Sequence, residues 1–155
     1  EALGGALSGY EAVVITRNEM TDEAVNTLKD KIASIVTAEG GQVVVTDDWG
    51  RRKLAYPIQR ETRGNYHYLA FTGKGATISE IERNLRMNEN VLRYMTILLA
   101  PEFDVEGFKK SHVPFAQMMA ARDEAERVER SERFDRGDRY DRPDRGERSE
   151  RSERH

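Results

Sequence analysis

Few residues in this chain are placed for chemistry, and their spacing limits it. The histidines stand at His67, His112 and His155, one in a β-rich run, one in a later connector and one at the terminus. That scatter assembles neither a metal cluster nor a catalytic triad. The chain has no cysteine, so thiolate ligands, disulfides and thiol nucleophiles are excluded. Arg17-Asn18-Glu19-Met20-Thr21 follows the first β-rich run, where an acyl-phosphate hydrolase would carry a glycine-rich anion loop. It has no glycine and an acid at its centre, which is the wrong lining for a phosphate. Gly73-Lys74-Gly75 is too short to be a P-loop. His67 reads as a packed or partner-facing strand residue rather than a base. The expectation is a protein that is not an enzyme, with no cofactor, no metal site and no small-molecule substrate.

Binding chemistry is better represented. In Trp49-Gly50-Arg51-Arg52-Lys53-Leu54-Ala55-Tyr56-Pro57-Ile58, basic, aromatic and apolar residues interleave. Three adjacent cations repel one another, so they point to an anionic partner or a well-solvated edge. Leu54, Tyr56 and Ile58 alternate as one face of an extended strand. Gly50 marks a bulge or bend, and Pro57, with no N–H, belongs at a sheet edge. Arg60, Arg63, Arg86 and Arg93 extend the cationic set. In Tyr66-His67-Tyr68-Leu69-Ala70-Phe71, alternation puts Tyr66 and Tyr68 on one side. Val13, Ile15, Met95 and Ile97 can share that face. Paired aromatics on a strand stack RNA bases in some recognition domains, but aliphatic neighbours favour protein contact.

These residues need a scaffold, and one modest domain is all the chain supplies. Of 155 residues, 34% are charged and 37% hydrophobic, and the charge is concentrated after Arg122. The net charge of −3 carries no global nucleic-acid signature. No apolar run approaches the ~20 residues that span a bilayer, and the opening lacks the pattern of a secretory signal. Tyr10–Thr16 reads as a strand covered on both faces. Thr21 caps a helix with Val25, Leu28, Ile32 and Ile35 at helical spacing, ended by Gly40-Gly41. Gln42–Ile58 is a second strand, Gln59–Asn65 with Gly64 a hairpin loop, and Tyr66–Phe71 a third strand. Thr77 and Glu80 have capping-box spacing ahead of Ile78, Ile81 and Leu85, with Asn88 and Asn90 closing that helix. Val91–Leu99 is a fourth strand, stopped by Pro101.

The order predicts an α+β, ferredoxin-like split β-α-β sandwich (βαββαβ). Its four-stranded antiparallel sheet has both helices on one face and the second strand at an edge. The expected boundaries are a loose leader over 1–9, the domain over 10–101, a connector over 102–121 and a tail over 122–155. The connector's Phe103, Val105, Phe108, Val113 and Phe115 suit a segment lying against the domain or a partner, and Phe115, Met118 and Met119 suit the start of a short helix. In the tail, Arg follows an acid ten times in succession at a period of three, from Glu126-Arg127 to Glu153-Arg154. The first third can extend a helix through acid-before-base pairs; Gly137, Pro143 and Gly146 stop it, leaving a disordered coil. Because each Arg has an adjacent acid, most of the counterion-release drive toward RNA is cancelled.

Tyr10-Glu11, the run WGRRKLAYPIQRETRGNYHY from Trp49 to Tyr68, and NENVLRYMTI from Asn88 to Ile97 resemble the bacterial small-subunit ribosomal protein six family. The resemblance covers about Tyr10 to Pro101. It implies this same fold and a non-enzymatic component of the small ribosomal subunit in the cytoplasm. It further implies binding to the central domain of small-subunit ribosomal RNA together with ribosomal protein eighteen. Carried onto this sequence, Arg51, Arg52, Lys53 and Tyr56 match the family's basic-aromatic strand and Arg93 a basic position before its last strand. With Arg86 these form the expected RNA-binding set; Tyr66, Tyr68, Val13, Ile15, Met95 and Ile97 form the expected protein-partner face. The alternative is a free-standing RNA-recognition module that stacks bases on Tyr66 and Tyr68.

Overall fold

The computed structural model describes residues 7–137. Its elements run β1 (Ser8–Arg17), α1 (Asp22–Ala38), β2 (Val43–Ile58), β3 (Glu61–Gly73), α2 (Gly75–Met87), β4 (Val91–Ala100), α3 (Val105–Ser111) and α4 (Phe115–Gly137). The four strands form one antiparallel sheet in the order β2-β3-β1-β4, which is the predicted split β-α-β arrangement with β2 at an edge. β1 begins within the expected leader, since Ser8 and Gly9 already pair with Gly73 and Thr72. Chain contacts divide the molecule into one unit through Ala116 and a second from Gln117.

The helical face follows from local chemistry. Thr21 caps α1 by accepting from the Ala24 N–H at 3.2 Å, and Asp22 and Glu23 occupy the first turn, where acids offset the helix dipole. The buried stripe Leu28, Ile32, Ile35 and Val36 then meets Ile81 and Leu85 of α2 over Ala12, Val14, Leu69 and Phe71 of the sheet. Gly40, at φ +82°, takes the left-handed conformation that ends such helices at little steric cost. α2 starts earlier than the capping-box spacing predicts. Lys74 is its N-cap, and Thr77 sits in the first turn, fully buried, accepting from the Lys74 N–H at 3.0 Å.

The β2–β3 hairpin departs most from expectation. Its loop is only Gln59-Arg60, both in the left-handed region at φ 47° and 66°, between the paired residues Ile58 and Glu61. Two positive φ values make the turn whose twist matches paired strands. Gly64 is therefore no loop residue: it lies buried within β3, opposite Arg52, where a methyl group would collide with Ile15 Cγ2. Gly50 does bend β2, at φ +76°, beside a register shift between Asp48 and Gly50 that leaves Trp49 as the extra residue.

In the second unit, α4 runs on from its start at Phe115 through the first acid–arginine repeats and ends at Gly137, where the sequence places the stop. Its pairs Arg122–Glu126 and Arg133–Glu129 (i, i+4) and Arg127–Glu124 (i, i+3) lie at 3.2, 2.6 and 2.6 Å. Acid–arginine spacing thus supports the helix where apolar burial does not: Val128 and Phe134 are exposed. The expected coil of the later repeats lies outside the described residues.

Candidate functional site

The sheet face opposite α1 and α2 gathers the expected partner residues. Val13 pairs with Tyr68 and Met95, Ile15 with Tyr66 and Arg93, and Glu11 with Ile97, so alternation sends all of these side chains to one face. Burial then divides them. Met95 and Ile97, on the edge strand β4, are 52% and 41% exposed, and Val13 and Tyr66 are half-buried. Ile15 and Tyr68 are buried under parts of the same chain.

The connector covers Tyr68. The Tyr68 ring stacks on Trp49 at 5.6 Å and on His112 at 5.7 Å, with interplanar angles of 13° and 7°. Phe115 stacks on Trp49 at 5.1 Å, and Phe108 bridges Phe103 and His112 at 5.3 and 5.6 Å. A Cβ on Gly9 would strike the Phe103 ring. The Phe115 N–H donates to Asp47 Oδ2 at 2.7 Å and the Tyr68 hydroxyl to Glu11 Oε2 at 2.8 Å. Burial, reinforced by the Glu11 carboxylate, pushes the Tyr68 phenol well above its usual range. Tyr68 therefore has no free ring face on which to stack a base, and it does not belong to an open partner face. The two-tyrosine platform of the alternative reading is lost with it.

Ile15 is covered by the hairpin. After Lys53, β2 leaves its register with β3, and Leu54 packs with Ile15 and Leu92, flanked by Ile58 and Tyr66. Leu54 is buried there, whereas Tyr56 is 53% exposed. Tyr56 instead meets Arg93, whose guanidinium donates to its hydroxyl and lies 5.2 Å from its ring centroid. Arg93 sits inside β4 rather than before it.

The three-cation run is likewise split. Arg52 turns to the open face, 4.7 Å from the Phe115 ring and 6.0 Å from that of Tyr66. Those contacts engage it with its own chain. Arg51 and Lys53 alternate to the other side, where their partners across the ladder are Asn65 and Arg63. Lys53 thus stands directly opposite a second cation, an arrangement that destabilises a ladder unless an anion answers it. Arg86 occupies the last turn of α2, where a cation suits the helix dipole. Among the described residues, none of Arg51, Arg52, Lys53, Arg60, Arg63, Arg86 and Arg93 takes part in an ion pair.

Two further clusters escape sequence reasoning. His67 is buried, with Nε2 3.0 Å from Thr16 Oγ1 and Nδ1 2.9 Å from Asp48 Oδ1, while Lys29 Nζ donates to the same carboxylate at 2.6 and 2.8 Å. Burial disfavours the imidazolium more than Asp48 favours it, so His67 is held below its ordinary value. Burial alone would raise Asp48, but the hydrogen bonds from Lys29 and His67 hold it low. Arg17 joins Gln59, Glu61 and the Glu89 carbonyl. No local pattern marks either set, because their members come from separate elements. Among the described residues no group of three or more His, Cys, Asp or Glu could hold a metal, and no helix is long and apolar enough to cross a membrane.

Comparison with known proteins agrees with this architecture. The family described as Ribosomal protein S6 matches residues 9–98. The chain is 40% identical to the small ribosomal subunit protein bS6 of Desulforapulum autotrophicum, covering 76% of this chain and 74% of that one. It is 46% identical to bS6 of Granulibacter bethesdensis over 62% of each chain, and 37% identical to bS6 of Geobacter metallireducens over 74% of this chain and 97% of the other. The crystal structure of 30S ribosomal protein S6 from Thermotoga maritima has the same fold, with a TM-score of 0.56 at 24% identity, covering 67% of this chain and 95% of that one. The chain belongs to the Ribosomal protein S6 family of the small ribosomal subunit.

Proposed function

We propose that the domain binds the central domain of small-subunit ribosomal RNA together with ribosomal protein eighteen. The observation that carries this reading is the pairing of Lys53 with Arg63, beside Arg51, with no ion-paired acid among the described residues. Directly opposed cations are tolerated where phosphate supplies the missing charge. Tyr56 and Arg93 form a second contact unit, in which the guanidinium is already oriented by the ring. Arg86 and the aromatic-bound Arg52 contribute in smaller measure.

The protein partner takes the margin of the open face: Met95 and Ile97, with Val13 and Tyr66 at its inner border. An exposed apolar stripe on an edge strand is what an obligatory partner covers. Ile15 and Tyr68 support this face from beneath rather than touch the partner.

Filter binding of a central-domain RNA fragment, with and without ribosomal protein eighteen, tests the proposal. Binding should be weak for the domain alone, tighten with the partner and fall steeply with salt. Met95→Ser with Ile97→Ser should abolish the partner's effect while leaving the weak binding unchanged. Tight, partner-independent binding to arbitrary single strands would overturn it.

A further inference from the structure

We infer that Arg17 is the positioning residue of the RNA-facing hairpin, an inference that rests on the RNA-binding reading above. Between the paired residues Lys53↔Arg63 and Ile58↔Glu61, β2 has four residues where β3 has one. Leu54–Pro57 therefore form an arch that ladder hydrogen bonds do not hold. Its top is the turn Gln59-Arg60, with both residues at positive φ and neither a glycine. Side-chain-bearing residues keep that conformation when their surroundings compensate its cost.

Arg17 supplies the compensation. Its Nη2 donates to Gln59 Oε1 at 2.6 Å, its Nη1 to Glu61 Oε1 at 3.1 Å, and its Nε to the Glu89 carbonyl at 3.2 Å. One planar fork thereby ties the end of β1 to the first residue of the turn, to the strand that follows it and to the loop before β4, whose Asn90 carbonyl also accepts from the Arg17 N–H at 2.9 Å. On the other side, Leu54 is seated on Ile15 and Leu92, and Tyr56 is bonded to Arg93. Arg17 itself is three-quarters covered and its charge is answered by Glu61, so it offers little to an external anion. What it determines is where Tyr56, Arg60 and Arg63 stand before RNA arrives, which spares the ordering cost of binding.

The test uses the full chain carrying Arg17→Met or Arg17→Lys, with binding to the central-domain RNA fragment plus ribosomal protein eighteen measured across a salt series. NMR reads the Gln59 and Arg60 conformation through their intraresidue HN–Hα contacts. Arg17→Met should weaken binding about tenfold through lost preorganisation, leave the salt slope unchanged and erase the left-handed signature. Arg17→Lys should do the same, because a single ammonium nitrogen cannot reach acceptors spaced for the three nitrogens of a planar guanidinium. A salt slope reduced by about one charge would mean that Arg17 contacts phosphate. That result, rescue by Lys, or unchanged affinity would each overturn the inference. If Arg17→Met does not fold, Gln59→Ala, which removes one exposed acceptor, carries the same readouts. If the unaltered chain fails to bind the RNA, the function reading falls, and the NMR arm still decides whether Arg17 holds the turn.

Discussion

The β2–β3 hairpin and helix α4 are both rich in arginine, and they use it in opposite ways. In α4, Arg122, Arg127 and Arg133 each have a carboxylate within 3.2 Å on the same helix, so the charge is spent on local structure. In the hairpin, Arg51, Lys53 and Arg63 have no ion-paired carboxylate among the described residues, and two of them face each other. The same residue type is thus a helix-stabilising device in one region and an unanswered charge in the other. Arginine content alone does not identify an anion-binding surface; the placement of acids does.

The strongest attack on this contrast reverses both opposed cations. Lys53→Glu with Arg63→Glu should cost RNA affinity about a hundredfold near physiological salt, whereas Arg127→Glu with Arg133→Glu should leave it unchanged. Equal losses from the two pairs would erase the distinction. A milder change, Arg51→Ala, should weaken binding about fivefold and lower the salt slope by about one charge. An unaltered slope would remove Arg51 from the contact set.

Acid should loosen the root of the hairpin while sparing α4. Below the ordinary histidine value of 6.5, the unfolded chain takes up a proton that buried His67 resists. The domain therefore loses stability as pH falls through that range. Asp48, held low, adds its loss further down, as pH falls through the carboxylate range. Urea midpoints at pH 7.5 and 5.5 should differ for the natural chain, and the difference should shrink in His67→Phe. The same drop in both chains would exclude His67 as the cause. Smallest of all, replacing Glu124, Glu126 and Glu129 by Gln should cost the α4 helix about 0.3 to 0.5 kcal/mol per pair. Circular dichroism should then show less helix in the variant, with RNA affinity intact.

Much of this was legible from residue order, because the relevant signals are local. Helical spacing from Val25 to Ile35, the Thr21 cap, Pro57 at an edge and Gly50 at a bend each report on a few neighbouring residues. Local signals misplace the hairpin turn for the same reason. Gly64 is a strong turn signal when read locally, yet it is required inside β3 by the close approach of Ile15, a residue 49 positions earlier in the chain. Alternation puts Tyr66 and Tyr68 on the open face, but it says nothing about what lies above that face. Phe103, Phe108, His112 and Phe115 have no period to read, because the connector's contacts follow the shape of the sheet surface.

The sequence by itself determined the class of the protein: a split β-α-β domain, a basic-aromatic edge strand, an acid–arginine extension and the ribosomal family. These depend on patterns within short windows and on a long run of matching residues. Only the tertiary structure decided which charges and rings are available. Register put Lys53 against Arg63, the arch brought Tyr56 to Arg93, and the connector closed over Tyr68. Availability depends on distances between elements far apart in the chain, and those distances exist only once the sheet has formed and the hairpin and connector have packed onto it.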